Sequence, residues 1–193
     1  MSGERPDGVS APMFNLRTLG PEPSGATPIE EEDLPGLIPG FVSTRAALNH
    51  VAFESITTAL PWAQQRARSL GTEGILEYGF MMTLHSRMFG DVWRWAGIRR
   101  RRNTNIGVAP ALITTQCRLL FDDAKFWHKG RVFGPDELAA RIHCRLVSAQ
   151  PFTWGGPEID VDGSARATYI AALIRAPDTD DYVELIRFAR GRP

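Results

Sequence analysis

The sequence predicts a mainly α-helical domain with one small β-hairpin, and three observations lead to this fold class. From residue 45 onward, apolar residues recur at intervals of three and four, as they do on the buried face of a helix. Residues that start or break helices separate these runs. Near the middle of the chain, Asn and Gly occur where a tight hairpin turn requires a positive φ.

A first helix covers residues 45–70, and Ser43 or Thr44 is placed to cap it. We expect Pro61 to kink or divide this helix and Gly71 to end it. The remaining helices are predicted over residues 73–89, 110–129, 135–149, 164–175 and 180–190, with Pro135 in a first helical turn and Asp180 as a cap.

Residues 88–103 combine aromatic, turn-forming and basic side chains. Residues 88–97 are aromatic and rich in turn formers, which predicts a buried corner. Four arginines, residues 99–102, lead from this corner into the hairpin predicted over Asn103–Val108. Because side chains alternate between the two faces of an extended segment, we interpret the arginines as a solvated strand edge rather than as a phosphate site.

The chain is predicted to have two segments. Residues 1–26 mix Gly, Pro, Ser and charged residues without periodicity, which predicts a flexible N-terminal leader. Residues 27–193 are predicted to form the helical domain. At its start, the acidic run 28–33 and the apolar residues 34–39 form either an ordered arm packed on the body or a solvated turn.

Length, charge and cysteine content limit the function classes. The chain has 193 residues, of which 43% are hydrophobic, and its 22 basic side chains balance 22 acidic ones. A neutral balance argues against direct nucleic-acid binding, and no apolar run is long enough to predict a membrane span. Cys117 and Cys144 stand singly in apolar helical runs, which predicts buried thiols and a cytoplasmic location.

No common catalytic or metal-binding motif is present in the sequence. The HExxH, Walker A and GxSxG patterns are all absent. Neither His85 nor His143, the two histidines on strongly apolar helices, has a second His or a carboxylate at ligand spacing. We therefore interpret the histidines as structural and predict no metal site.

Several short sequence words follow one another in a specific order. They are LIP (37–39), LN (48–49), LHSRMFGDVWRWAG (84–97), NIGV (105–108), RLV (145–147), AAL (171–173), DY (181–182) and FAR (188–190). Together they resemble the Fic (Fido) family, and most closely its subgroup called mobile mystery protein B. The resemblance covers residues 25–190, and the segment 84–97 is its most specific part.

The resemblance implies a Fic fold and the activity of a protein adenylyltransferase, which transfers AMP from ATP to a protein hydroxyl. In this family an HPFxxGNGRxxR loop supplies a His base, backbone N–H donors for phosphate and a phosphate-binding Arg, and an acidic residue holds Mg²⁺. ATP and Mg²⁺ are therefore the implied cofactors. A hairpin called the flap binds an extended segment of the target protein by strand addition. The residues that match the flap are Asn103, Thr104, Asn105, Ile106, Gly107 and Val108.

The catalytic motif is missing or degenerate in this chain, and two alignments stay open. In the first, the neutral amide of Gln150 stands at the position of the catalytic His, and Gly155 with Gly156 forms a degraded glycine turn. In the second, residues 152–156 match the segment after the motif helix, so that the loop and most of that helix, roughly 20 residues, are deleted. We prefer the second alignment, because it keeps both flanks in the family register.

A third segment, residues 162–166, resembles part of the motif by spacing. It reads DGSAR, mimics DGNGR and precedes a predicted helix. Asp162, Gly163 and Arg166 would then supply an acidic group, backbone donors and a phosphate-binding Arg. No His precedes this segment, and Ala165 replaces the second glycine.

These features predict a catalytically defective relative of the protein adenylyltransferases, since neither alignment keeps the base and the phosphate-binding Arg. The alternative is a non-catalytic protein-binding module, or a remnant of a toxin–antitoxin-like pair from a mobile element. The resemblance implies a target protein at the flap and a helix-turn-helix partner encoded nearby. Loss of a central apolar helix would remove on the order of 10 kcal/mol of stability, so the remaining helices must close the gap if the domain is to fold.

Overall fold

The computed structural model describes residues 29, 33–103, 107–149 and 164–190. Within these ranges the chain forms six α-helices, which confirms the mainly helical fold class. The helices are α1 (Arg45–Ile75), α2 (Tyr78–Phe89), α3 (Ile113–Gly130), α4 (Pro135–Ala149), α5 (Ser164–Thr179) and α6 (Val183–Ala189). Short 3₁₀ turns cover Leu34–Gly36 and Pro110–Leu112. The predicted leader, residues 1–26, lies outside the described residues.

Helix α1 begins where the sequence predicts and ends five residues later. Thr44 is its N-cap, and the Thr44 Oγ1 accepts a hydrogen bond from the Ala47 N–H at 3.1 Å. Pro61 lies inside α1 and does not divide it, and the ring of the next residue, Trp62, stacks on Phe80 of α2. The regular helix breaks at Gly71, whose φ of 66° is accessible to glycine without strain.

The first apolar cluster joins the start of the domain to α1 and to the corner after α2. Its buried members are Leu37, Val42, Leu48, Phe89, Val92 and Trp93. An isolated antiparallel bridge pairs Leu37 with Trp93, and the Ile38 N–H donates to the Val92 carbonyl at 2.9 Å. Residues 34–39 are therefore an ordered arm, and the prediction of a buried corner is confirmed.

A second cluster packs α2 against α3, and a third packs α4 against α5 and α6. The buried members of the second are Leu76, Met81, Ile113, Cys117, Phe121 and Ala124. Those of the third are Ala140, Cys144, Val147, Ala172, Leu173, Ala176, Tyr182 and Leu185. Both cysteines are buried and free, as predicted, and burial raises the pKa of the Cys117 thiol to about 11.

Helix α4 lies in the middle of the second half of the chain. It packs against α3 on one side and directly against α5 and α6 on the other. The helices on both sides of residues 150–163 thus share one apolar cluster. Among the described helices, none combines the length and apolarity required to cross a membrane.

The structure describes only the ends of the predicted hairpin. Thr104, Asn105 and Ile106, at its centre, lie outside the described residues. In the part of the chain that the structure does describe, the bridge between Leu37 and Trp93 is the single strand-like pairing. The hairpin at residues 103–108 therefore stays a prediction.

Candidate functional site

The segment that matches the flap is closed at its base by one arginine side chain. The Arg100 Nη1 donates to the Arg102 carbonyl at 2.8 Å, and the Arg100 Nη2 donates to the Val108 carbonyl. These two carbonyls lie on either side of residues 103–107. A planar guanidinium presents its donors in a fixed fork, so that one side chain joins both ends of the segment.

The second end of the flap segment is anchored in the core. Val108 is half-buried and packs against the cluster between α2 and α3. Gly107 has a φ of 102°, a conformation that favours glycine. Arg100 is half-buried as well, and burial lowers the pKa of its guanidinium, which stays protonated because its ordinary pKa lies far above neutral pH.

The four arginines alternate between the two faces of the chain, as the sequence predicts. Arg99 and Arg101 are exposed, whereas Arg100 and Arg102 are half-buried. The interpretation of the arginines as a solvated edge is therefore wrong for Arg100 and Arg102. Arg102 forms an ion pair with Asp33, which ties the flap base to the N-terminal arm. The carboxylate of Asp33 holds the guanidinium of Arg102, and the carbonyls of Arg102 and Val108 hold that of Arg100.

Of the residues assigned to the degenerate catalytic motif, the structure describes the backbone of Arg166 alone. Those that lie outside the described residues are Gln150, Gly155, Gly156, Asp162 and Gly163. Arg166 belongs to the first turn of α5, which begins at Ser164. The helix predicted over residues 164–175 therefore begins where expected, inside the DGSAR segment, and continues to Thr179.

A polar pair on α4 and α5 escaped the sequence analysis. The His143 Nε2 and the Tyr169 hydroxyl are 2.8 Å apart, and the Tyr169 ring packs on Phe188 with their centroids 5.2 Å apart. Burial lowers the pKa of His143, which favours the neutral imidazole ring. The partners are 26 residues apart, a separation that no helical spacing indicates.

His85 on α2 has a structural role, in line with its interpretation. The His85 Nδ1 accepts a hydrogen bond from the Gly97 N–H at 2.8 Å. Burial lowers the pKa of His85 to about 4, so the ring is neutral at pH 7 and remains an acceptor. Gly97 has a φ of 75°, and a Cβ there would approach the Ser86 Cβ to 2.7 Å, so this close contact requires glycine.

Arg141 on α4 is the centre of the junction between α4 and the α5–α6 turn. Its Nη1 donates to Asp180 Oδ1 at 2.7 Å, and its Nε and Nη2 donate to Glu137 Oε1 at 3.0 and 2.9 Å. The guanidinium carbon lies 4.0 Å from the centroid of the Phe133 ring and 4.4 Å from that of Tyr182. The hydrogen bond to Asp180 raises the pKa of Arg141, with a further contribution from Glu137.

Asp180 does not cap α6, so that prediction is wrong. Its φ is 54°, a left-handed conformation, and its carboxylate binds Arg141. The N-cap position of α6 is Tyr182, and the nearby carboxylate of Asp181 accepts a hydrogen bond from the Val183 N–H at 3.0 Å. The carboxylate that accepts the first N–H of α6 therefore belongs to Asp181, the residue before the N-cap.

The comparisons with known proteins leave the family open. No protein-family model, curated protein or solved structure matches the chain. The resemblance to the Fic family therefore stays a prediction, carried by the sequence words alone. Over the ranges that the structure describes, no three His, Cys, Asp or Glu side chains come together as ligands for a metal ion.

Proposed function

We propose that this chain is a catalytically defective Fic-like protein that binds an extended segment of a target protein at its flap. In this proposal the loss of the motif removes AMP transfer, and the flap retains target binding. The proposal rests on the resemblance for the identity of the flap. The cytoplasm is its proposed location, and a helix-turn-helix protein is its proposed partner.

The chemistry of the missing motif supports the defect. Transfer of AMP to a hydroxyl requires a base that can take up the hydroxyl proton. A neutral amide such as that of Gln150 accepts no proton at neutral pH. The transferred phosphoryl group also requires a cation that pairs with its oxygens. ATP and Mg²⁺ belong to the active members that the chain resembles, and this chain has neither the base nor the arginine in either alignment.

The contacts of Arg100 support target binding. A target-binding segment gives higher affinity when its ends are held in place before the target arrives, because less ordering then opposes binding. The fork of Arg100 joins the carbonyls on either side of residues 103–107, and Val108 anchors one end in the core. This preorganised base is the observation that carries the proposal.

A decayed remnant without any activity is the weaker candidate. Loss of a central helix would leave apolar surface without a partner, and the chain would pack poorly. Instead, α4 and α5 share a cluster in which Cys144 is fully buried and Ala176 is exposed by only 1%. Packing of this kind is typical of a domain that has closed the gap.

A binding selection with a phage-displayed library of random peptides tests the flap. We expect selected peptides to bind the wild-type chain and to lose at least roughly tenfold in affinity on Arg100→Met, which removes both fork donors. Arg101→Met is the matched control, because the neighbouring Arg101 side chain is exposed. Equal affinities for the two variants would contradict a binding role for the clamped segment.

A thermal melt with and without Mg-ATP tests the defect. A ligand that binds only the folded chain must raise the melting temperature. We expect a cooperative melt that Mg-ATP leaves unshifted, because the phosphate-binding motif is missing. An upward shift would contradict the proposal and would direct attention to the segment 162–166, and a non-cooperative melt would favour the remnant.

A further inference from the structure

Two of the four arginines that lead into the flap segment face outward. Arg99 and Arg101 are exposed, and neither forms an ion pair with a carboxylate among the described residues. Their neighbours are held within the chain, since Arg102 pairs with Asp33 and Arg100 binds two carbonyls. Arg99 and Arg101 together are called the arginine edge below. Their guanidinium groups are placed to bind an anion from outside the chain.

The backbone of the arginine edge is open as well. No hydrogen bond joins the N–H or the carbonyl of Arg99 or Arg101 to the part of the chain that the structure describes. In an extended segment, the N–H and carbonyl groups of residues two apart point to the same side. An antiparallel strand that adds there would therefore exchange backbone hydrogen bonds with both residues of the edge.

Such pairing determines which target side chains meet the guanidinium groups. Residues directly opposite each other in antiparallel strands share a face, with their Cβ atoms about 4.5–5.5 Å apart. Side chains alternate along a strand, so the target residues opposite Arg99 and Arg101 are separated by one residue. Opposite charges stabilise such cross-strand pairs, and like charges destabilise them. Carboxylates at these two target positions therefore complement the arginine edge.

Two observations favour the carboxylates of a polypeptide over the phosphates of a nucleic acid. The arginine run already binds one carboxylate of this chain, since Arg102 pairs with Asp33. The chain as a whole is neutral, with 22 basic and 22 acidic side chains, whereas nucleic-acid-binding domains are typically basic. A guanidinium also matches a carboxylate in geometry, because its planar fork can donate two parallel hydrogen bonds to the two oxygens.

We propose that the arginine edge selects target segments that carry Asp or Glu at two positions separated by one residue. This selection rests on the proposed function, because it defines the chemistry of the extended segment that binds beside the flap. The two pairs of arginines then have different tasks. The half-buried Arg100 and Arg102 hold the flap base in place, and the exposed Arg99 and Arg101 contact the carboxylates of the target.

Fluorescence anisotropy with labelled, threonine-rich peptides tests the register. The first peptide carries two glutamates separated by one threonine, the second carries two adjacent glutamates, and the third has glutamines in place of the separated glutamates. We expect the second to bind several-fold more weakly than the first, because only one of its glutamates can face the edge. The third should bind roughly tenfold more weakly, because it has no carboxylate there. Equal affinities for all three, or no binding of the first peptide, would overturn the proposal.

Charge reversal tests whether the preference belongs to the arginine edge. Arg99→Glu/Arg101→Glu should prefer a peptide with two separated lysines, a gain that loss of folding would not give. Arg66→Glu/Arg68→Glu on α1 is the matched control, because both side chains are exposed and the net charge changes equally. Equal losses of glutamate binding in the two double variants would contradict the proposal. Tighter binding of a labelled thymidine oligonucleotide through the arginine edge would contradict it as well.

Arg100→Met separates this selection from the proposed function. We expect it to weaken every peptide and to leave their order unchanged, and Arg101→Met, which keeps the clamp, to cost less. If Arg100→Met weakens all peptides while glutamate and glutamine peptides bind alike, the clamped flap stands and the selection of acidic residues fails. If separated glutamates bind through the arginine edge regardless of Arg100, the selection stands and the clamped flap fails.

Discussion

Two junctions hold the helices of this chain together in different ways. The corner after α2 relies on apolar burial, since Val92 is completely buried and Trp93 is exposed by only 6%. The junction between α4 and the α5–α6 turn relies on the guanidinium of Arg141, which binds two carboxylates and lies between two aromatic rings. The stability of the first junction should therefore fall when a buried side chain is truncated or when a buried histidine is protonated. The stability of the second should depend on where the donors of the guanidinium lie.

The largest effect on stability is expected at the corner after α2. Trp93→Ala removes a buried ring that stacks on Trp95 with their centroids 5.0 Å apart, and should lower the free energy of unfolding by about 3–5 kcal/mol. Urea denaturation measures this loss. Trp95→Ala is the control and should cost clearly less, because Trp95 is exposed by 36%. Equal losses would show that burial does not govern the corner.

Acid should weaken the same corner through His85. The pKa of folded His85 is lowered by burial to about 4 from an ordinary value near 6.5, so the unfolded chain takes up the proton first as the pH falls. The contribution of His85 to stability is complete above pH 6.5 and is lost between pH 6.5 and 4, by up to about 3 kcal/mol. Denaturation curves across this range measure the loss.

The matched variant for this prediction is His85→Asn, which offers an acceptor to the Gly97 N–H but does not titrate. The difference between the wild-type and variant pH profiles isolates His85 from His143, whose pKa burial also lowers. We expect the variant to lose less stability between pH 6.5 and 4. Parallel profiles would contradict a buried neutral His85.

A smaller effect is expected at the charged junction. Arg141→Ala removes the hydrogen bonds to Asp180 and Glu137 and both ring contacts, and should cost about 2 kcal/mol. The side chain of Asp180 is 72% exposed and that of Glu137 is 39% exposed, so both carboxylates regain water, which limits the loss. Arg141→Lys keeps the charge without the fork and should recover only part of the stability. Full recovery by lysine, measured by thermal unfolding, would show that geometry is unimportant there.

The smallest effect on stability is expected at the start of α1, next to the first apolar cluster. Thr44→Ala removes the oxygen that accepts the Ala47 N–H and should cost about 1 kcal/mol. Ser43→Ala is the control, because Thr44 is the residue that caps the helix. A similar loss in both variants would mean that the cap adds nothing beyond local solvation.

The sequence predicted features that depend on neighbouring residues. Helix α4 covers Pro135–Ala149 as expected, since proline fixes its first turn, and the corner at 88–97 follows from consecutive aromatic and turn-forming residues. Asp180 was assigned a local role as a cap, but Arg141 binds it from 39 residues away. Such a contact depends on how α4 packs on α5, which local patterns do not contain.

The candidate site divides in the same way. The flap residues were identified by resemblance, whereas the clamp of Arg100 depends on the path that brings the carbonyls of Arg102 and Val108 to one side chain. Alternation along the chain predicted that the four arginines would divide between two faces, but we interpreted both faces as a solvated edge. It did not predict their acceptors, because Asp33 and Val108 approach them only in the folded chain.

The most direct test of the proposed defect is an AMP-transfer assay with α-phosphate-labelled ATP and Mg²⁺. The wild-type chain and Gln150→His are each incubated alone and with a cell extract that supplies protein hydroxyls. We expect no label on any protein with either chain, because restoring the base does not restore the phosphate-binding arginine. Transfer by the wild-type chain would contradict the catalytic defect, and robust transfer by Gln150→His alone would contradict the preferred alignment.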